Sequence, residues 1–181
     1  MINRRKFSQL LGLTASSVLF PAFVVNAKSY LTSQQAKQLL WEDKTMTQIA
    51  VELTQDQVKA IQSASDVRVR NPNMQVWKVE GGGWFIIDQI IGKHENIDMA
   101  FAYHADGTVK GFEILTYRET YGFEVNNPKW RMQFHGKNHS QHLKLDHQIK
   151  NISGATLSCR HITDGINRLN HTWNLVLQHL G

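Results

Sequence analysis

The stretch NIDMAFAYHADGTVKGFEILTY (Asn96–Tyr117) decides the fold class. Two runs rich in β-branched and aromatic residues, Asn96 to Tyr103 and Thr108 to Tyr117, flank Ala105-Asp106-Gly107. Asp-Gly supplies the positive φ angles that a tight antiparallel turn demands, so the stretch predicts a β-hairpin. Upstream, Met74 to Val79 alternates, Gly81-Gly82-Gly83 interrupts, and Trp84 to Ile91 resumes a strand pattern. A phosphate-binding loop would pass from strand into helix with spaced glycines and a Lys-Ser/Thr pair, whereas Trp84-Phe85-Ile86-Ile87 continues as strand; the glycines therefore read as a plain turn. From Val67 onward the pattern gives three or four antiparallel strands.

Helical patterns lie on both sides of these strands. Residues 33–64 read as helix in two pieces, and Thr54 followed by Gln57 forms a capping box that predicts a helix opening near Gln55. At the other end Ile162, Ile166, Leu169, Trp173, Val176 and Leu180 recur at intervals of three or four, the apolar stripe of a long C-terminal helix with Gly165 inside it. The expectation is an α+β fold: N-terminal helices, a small antiparallel sheet, and a long C-terminal helix. Residues 28–70 form the N-terminal helical segment, packed as one unit with a domain over residues 71–181.

Residues 1–27 read differently. A basic head (Arg4, Arg5, Lys6), an apolar run from Leu10 to Val25 and a small-residue end at Val25-Asn26-Ala27 follow the plan of a secretory signal peptide. The run is short for a membrane span, and Pro21 interrupts it. Arg4-Arg5-Lys6-Phe7 resembles the centre of a twin-arginine signal, so the expectation is an exported bacterial protein, free in the periplasm or associated with the inner membrane. The chain carries 20 Lys and Arg against 15 Asp and Glu, a formal charge of +5, but three of the cations and no acid lie in residues 1–27. The remainder is close to neutral, which argues against nucleic acid as a partner. A single cysteine, Cys159, excludes an intramolecular disulfide and any multi-cysteine metal centre, so redox chemistry, if present, must come from a bound cofactor.

The sequence richest in chemistry is Ser153-Gly154-Ala155-Thr156-Leu157-Ser158, where the C-terminal helix begins. Gly154 and Ala155 allow close backbone approach, and Thr156 and Ser158 offer hydroxyls beside free N–H groups and the positive end of the helix dipole. A phosphate esterified to Thr156 would be stabilised there; the same hydroxyls also suit an ordinary N-cap. His135, His139, His142 and His147 crowd one segment, but their spacing matches no single helical face and they read as a solvated polar loop, with no metal site assigned. Cys159 could be activated by the helix N-terminus, although a buried small residue is the favoured reading. Trp84, Trp130 and Trp173 are read as core rather than as stacking platforms.

Ser153-Gly154-Ala155-Thr156-x-Ser158 resembles the flavinylation motif of the FMN-binding domain family, found in FMN-carrying subunits of the Rnf complex and of sodium-translocating NADH:quinone oxidoreductase. The strand from Asp106 to Leu115, followed by Glu119-Thr120-Tyr121-Gly122-Phe123, is similar to that family's hairpin strand and its Glu-Thr-Pro-Gly-Leu loop. Departures are Tyr121 for Pro, Phe123 for Leu, and Lys150 where an Asp often stands. The resemblance covers roughly residues 80–170. It implies FMN joined through its phosphate to Thr156, with Ser153, Gly154, Ala155 and Ser158 around it and Glu119, Thr120, Tyr121 and Gly122 against the flavin. It implies a flavin transferase as partner, redox partner proteins at the membrane or in the periplasm, and a role as electron carrier rather than stand-alone enzyme. The competing expectation is a non-redox binding module for a small anion or a metal.

Overall fold

The computed structural model describes residues 27–180. The leader read over residues 1–27 lies outside the described residues, apart from Ala27. Strands β1 (Lys28–Ser29), β2 (Met46–Glu52), β3 (Asn73–Val79), β4 (Trp84–Ile91), β5 (Asn96–Tyr103) and β6 (Val109–Tyr117) form one antiparallel sheet in the order β1-β6-β5-β4-β3-β2. Helices α1 (Ser33–Trp41), α2 (Gln55–Ser65), the short α3 (Pro128–Arg131) and α4 (Thr156–Leu175) complete an α+β fold. Among the described residues no helix is long and apolar enough to cross a membrane.

Side-chain alternation divides the sheet into two faces. From β4, Trp84, Ile86 and Ile90 join the main core under α2 and α4, while Phe85 and Ile87 join a smaller cluster with Ala36 and Leu40 of α1. Register shifts in the β5–β6 pairing lie between Asp98 and Met99 and between Ala102 and Tyr103. At the first, Thr116 and Ile114 take consecutive partners and Leu115 is the extra residue, a bulge. The Leu115 carbonyl then accepts from the amides of Tyr30 (2.9 Å) and Leu31 (3.3 Å), which ties the entry to α1 against the β6 edge.

The expected hairpin is present: Gly107 has φ +79°, and Asp106 Oδ1 accepts from the Thr108 amide at 3.0 Å. The Asp-Gly turn also serves packing, because the Trp173 ring lies where a Cβ on Gly107 would be. The three-glycine segment is a turn with every φ positive. The Thr54–Gln57 capping box opens α2 at Gln55.

Two readings are corrected. The two helical pieces read over residues 33–64 are α1 and α2, but a strand that was not expected, β2, stands between them; and the sheet has six strands rather than three or four. β2 is an edge strand with only Val51 buried, so its sequence lacks the clean alternation of a strand covered on one whole face. After α2, strand structure resumes at Asn73 rather than Val67. The α4 stripe is buried as its spacing implies, but the helix ends at Leu175 and Leu180 belongs to a following 3-10 turn. Gly165 has a packing reason: an added Cβ would collide with the Ile90 side chain on β4, so glycine lets helix and sheet approach closely.

Candidate functional site

Two segments distant in sequence meet at the start of α4. Ser153 and Gly154 are exposed in a tight turn, with Gly154 at φ +87°, and the Ala155 amide closes it on the Ile152 carbonyl at 3.0 Å. Ala155, not Thr156, occupies the N-cap position, and no side chain caps the helix. The capping alternative for Thr156 is thereby corrected: Thr156 is the first residue inside the helix. Amides of the first turn are left without a capping oxygen, the arrangement that favours an anion.

The Thr156 hydroxyl is half-buried and accepts from Asn151 Nδ2 at 3.0 Å. It lines a cleft of about 280 Å³ shared with His142, Lys144, Asp146, Arg160 and Asp164. Arg160 stands four residues on, on the same helix face, so a phosphate on Thr156 would have Arg160 and Lys144 as neighbouring cations. Asn151 Oδ1 is buried without a hydrogen-bond partner, an orphaned acceptor beside the hydroxyl. An uncapped helix start, an accessible hydroxyl and two cations fit a phosphoester.

Ser158 faces the other way and is buried. The Tyr117 hydroxyl donates to the Tyr121 carbonyl at 2.6 Å and lies 2.8 Å from Ser158 Oγ. With the Tyr117 proton committed to that carbonyl, Ser158 is the donor in the second bond. Burial pushes the Tyr117 phenol up to about 12, so it remains protonated. Gly122, at φ +88°, packs onto this pair: an added Cβ would collide with Ser158 Oγ and lie 2.8 Å from the Tyr117 hydroxyl. The Tyr121 and Gly122 backbone is therefore fixed to the first turn of α4.

The rest of the loop does different work. Glu119 turns away from Thr156 toward the β4–β5 connection, where Oε1 accepts from the amides of His94 (2.6 Å) and Glu95 (3.1 Å). Thr120 is exposed. The side chains of Tyr121 (80% exposed), Phe123 (52%) and Leu157 (42%) leave apolar surface on the two segments that meet here. Burial raises the Glu119 carboxyl, but the amides of His94, Glu95 and Lys93 and the His94 charge together outweigh it, and the net shift is below the ordinary value. Its stabilising contribution is thus fully present above the unfolded carboxyl value of about 4.3 and is lost as pH falls through the folded value. Glu119→Gln is expected to lower the melting temperature at neutral pH, with the difference from wild type shrinking in acid; thermal melts across pH check this, and a pH-independent difference contradicts it.

The remaining candidates do not join this site as a group. His139 lies against His171 and Trp173, His142 lines the Thr156 cleft, and His135 and His147 are exposed. Among the described residues no three His, Cys, Asp or Glu side chains converge as a metal site. Cys159 is fully buried, and burial raises its thiol pKa. Trp84, Trp130 and Trp173 are core residues. Sequence reasoning missed Tyr117, Lys144, Asn151 and Arg160. Only Arg160 carried a local signal, its four-residue spacing from Thr156; the others reach the site through loops or from the opposite strand.

Residues 92–170 match the model of the FMN-binding domain family. The matched region runs from the β4–β5 connection into α4 and so contains both segments that meet at Thr156. No curated protein matches the chain.

Proposed function

We propose that the protein is exported to the periplasm, carries FMN esterified to Thr156, and acts as an electron carrier in an extracytoplasmic or membrane-associated chain. The observation that carries the reading is the half-buried Thr156 hydroxyl at an uncapped helix start, facing a cleft that holds Lys144 and Arg160. A flavin transferase would join the Thr156 oxygen to the FMN phosphorus of FAD, with the pyrophosphate bond breaking and AMP leaving. The bound isoalloxazine supplies the redox chemistry, and the protein holds its phosphate and restricts its position. Tyr121 and Gly122 form the edge of the site nearest the α4 start, with Ser153, Gly154, Ala155 and Ser158 shaping the turn that presents Thr156. A covalent tether keeps the carrier loaded in a compartment where a dissociated flavin would be lost.

The test uses a bacterial host that possesses the transferase. Protein recovered from the periplasm is expected to begin at about Lys28, following the small-residue cleavage rule. It should be yellow after unfolding and desalting, and the folded protein should bleach with a reductant and recover its colour in air. Colourless periplasmic protein, or an unprocessed chain in the membrane fraction, contradicts the reading. Replacement of Arg4-Arg5 by Lys-Lys is expected to stop export, and unchanged export removes the twin-arginine route.

A further inference from the structure

A second cavity lies where the sheet splits. β3 pairs with β4 only between Gln75–Lys78 and Trp84–Ile87, although β4 continues to Ile91; Asn73 and Met74 pair with β2 alone. Beyond Ile87 the β3 side of β4 is therefore open, and the Gln89 amide turns to the neighbouring Asp88 carboxylate at 2.8 Å. The gap belongs to a cavity of about 880 Å³ with Leu53, Met74, Ile86 and Ile90 among its apolar walls. That volume lies within the usual range for small-molecule sites, which combine an apolar lining with a few polar groups.

The charges around the cavity are unevenly matched. Asp88 pairs with Arg168, and Asp98 pairs with Arg118 at 2.6 Å. Asp164 has no ion-pair partner among the described residues, and burial raises its carboxyl toward the neutral form. Arg68 and Arg70, both exposed at the rim, likewise have no carboxylate partner among the described residues. Their position is fixed by the residue between them: Val69 is buried, and its amide donates to Gln62 Oε1 at 3.0 Å. His161 also lines the cavity, with Nδ1 buried and lacking a partner. Two uncommitted guanidiniums, an orphaned imidazole nitrogen and an apolar floor form a pattern suited to an amphipathic anion.

We propose that this cavity is a binding site for a small organic acid with an apolar or aromatic body, its carboxylate paired with Arg68 and Arg70 and its body against Leu53, Met74, Ile86 and Ile90. Asp164 lines both this cavity and the Thr156 cleft, eight residues from Thr156, or about 12 Å along the helix axis. The site therefore adjoins the flavin site without depending on it. The competing occupant is the isoalloxazine itself, tethered at Thr156.

Calorimetric titration of the full-length protein, before and after flavinylation, separates these cases with phenylpropionate and phenylpropanol as probes. The acid is expected to bind at least about tenfold more tightly than the alcohol, with the preference falling as salt rises. Arg68→Gln with Arg70→Gln, both at exposed positions, should bring the acid down to the alcohol's affinity. Met74→Trp should weaken both probes by filling the floor. Absence of binding, equal affinities for the two probes, or an acid affinity unchanged by the double substitution overturns the proposal. So does acid binding lost on flavinylation of wild type but retained by Thr156→Ala after the same treatment, since the cavity would then be the flavin's own seat. A protein that takes no flavin leaves the cavity measurement intact and counts only against the reading of Thr156.

Discussion

Thr156→Ala is expected to remove the covalent flavin completely while leaving the protein folded. Thr156 is not the cap of α4, because Ala155 holds that position and no side chain caps the helix. The structural loss is one hydrogen bond, from Asn151 to the Thr156 hydroxyl, worth about 1 kcal/mol. Alanine's higher helix propensity, about 0.5 kcal/mol or more over Thr, offsets part of it. The chemical loss is total, because no nucleophilic oxygen remains. Thr156→Ser keeps that oxygen and should keep partial attachment. In-gel flavin fluorescence after denaturation, paired with thermal melts, reads both effects; a fluorescent Thr156→Ala band or an unfolded variant contradicts the assignment.

The second large effect is expected at Gly122. A valine there must adopt φ near +88° and place its Cβ against Ser158 Oγ and the Tyr117 hydroxyl. The left-handed backbone costs about 1–2 kcal/mol for a residue bearing a Cβ. Displacing either hydroxyl leaves a buried polar group unsatisfied at about 1–3 kcal/mol. Gly122→Val should therefore destabilise by about 2–5 kcal/mol in total. It should also shift the visible spectrum or potential of whatever flavin attaches, because the first turn of α4 moves with Ser158. His139→Val is the control: its ring packs against His171 and Trp173, not against Tyr117 or Ser158, so it should leave the flavin spectrum unchanged. Denaturant unfolding and a reductive titration distinguish the two, and equal, negligible flavin effects would show that the loop is only scaffold.

The parts of this architecture that rest on local chemistry were legible in the sequence. Asp106-Gly107 specifies its own turn, Thr54 and Gln57 form their own cap, and the α4 stripe carries its period from Ile162 to Trp173, about three turns. β2 was not legible, because an edge strand with a single buried residue shows little of the alternation that marks a strand. The same limit applied to the site. The Thr156 and Gly122 motifs could each be read alone, but their junction through Tyr117 and Ser158 spans 41 residues and is made by tertiary packing. Lys144 and Asn151 come from loops whose course no local pattern dictates. The helix cap was misread for a related reason: Ser and Thr are common caps, yet the helix starts one residue earlier than a Thr156 cap would require, with Ala155 in the cap position.

The most direct test of the central claim is the intact and peptide mass of wild-type protein, coproduced with a flavin transferase and then fully denatured. The expected result is an increase of one FMN less one water, mapped to the peptide containing Thr156. An unmodified chain, measured while a known acceptor is labelled in parallel, or a flavin mapped to any other residue, contradicts it.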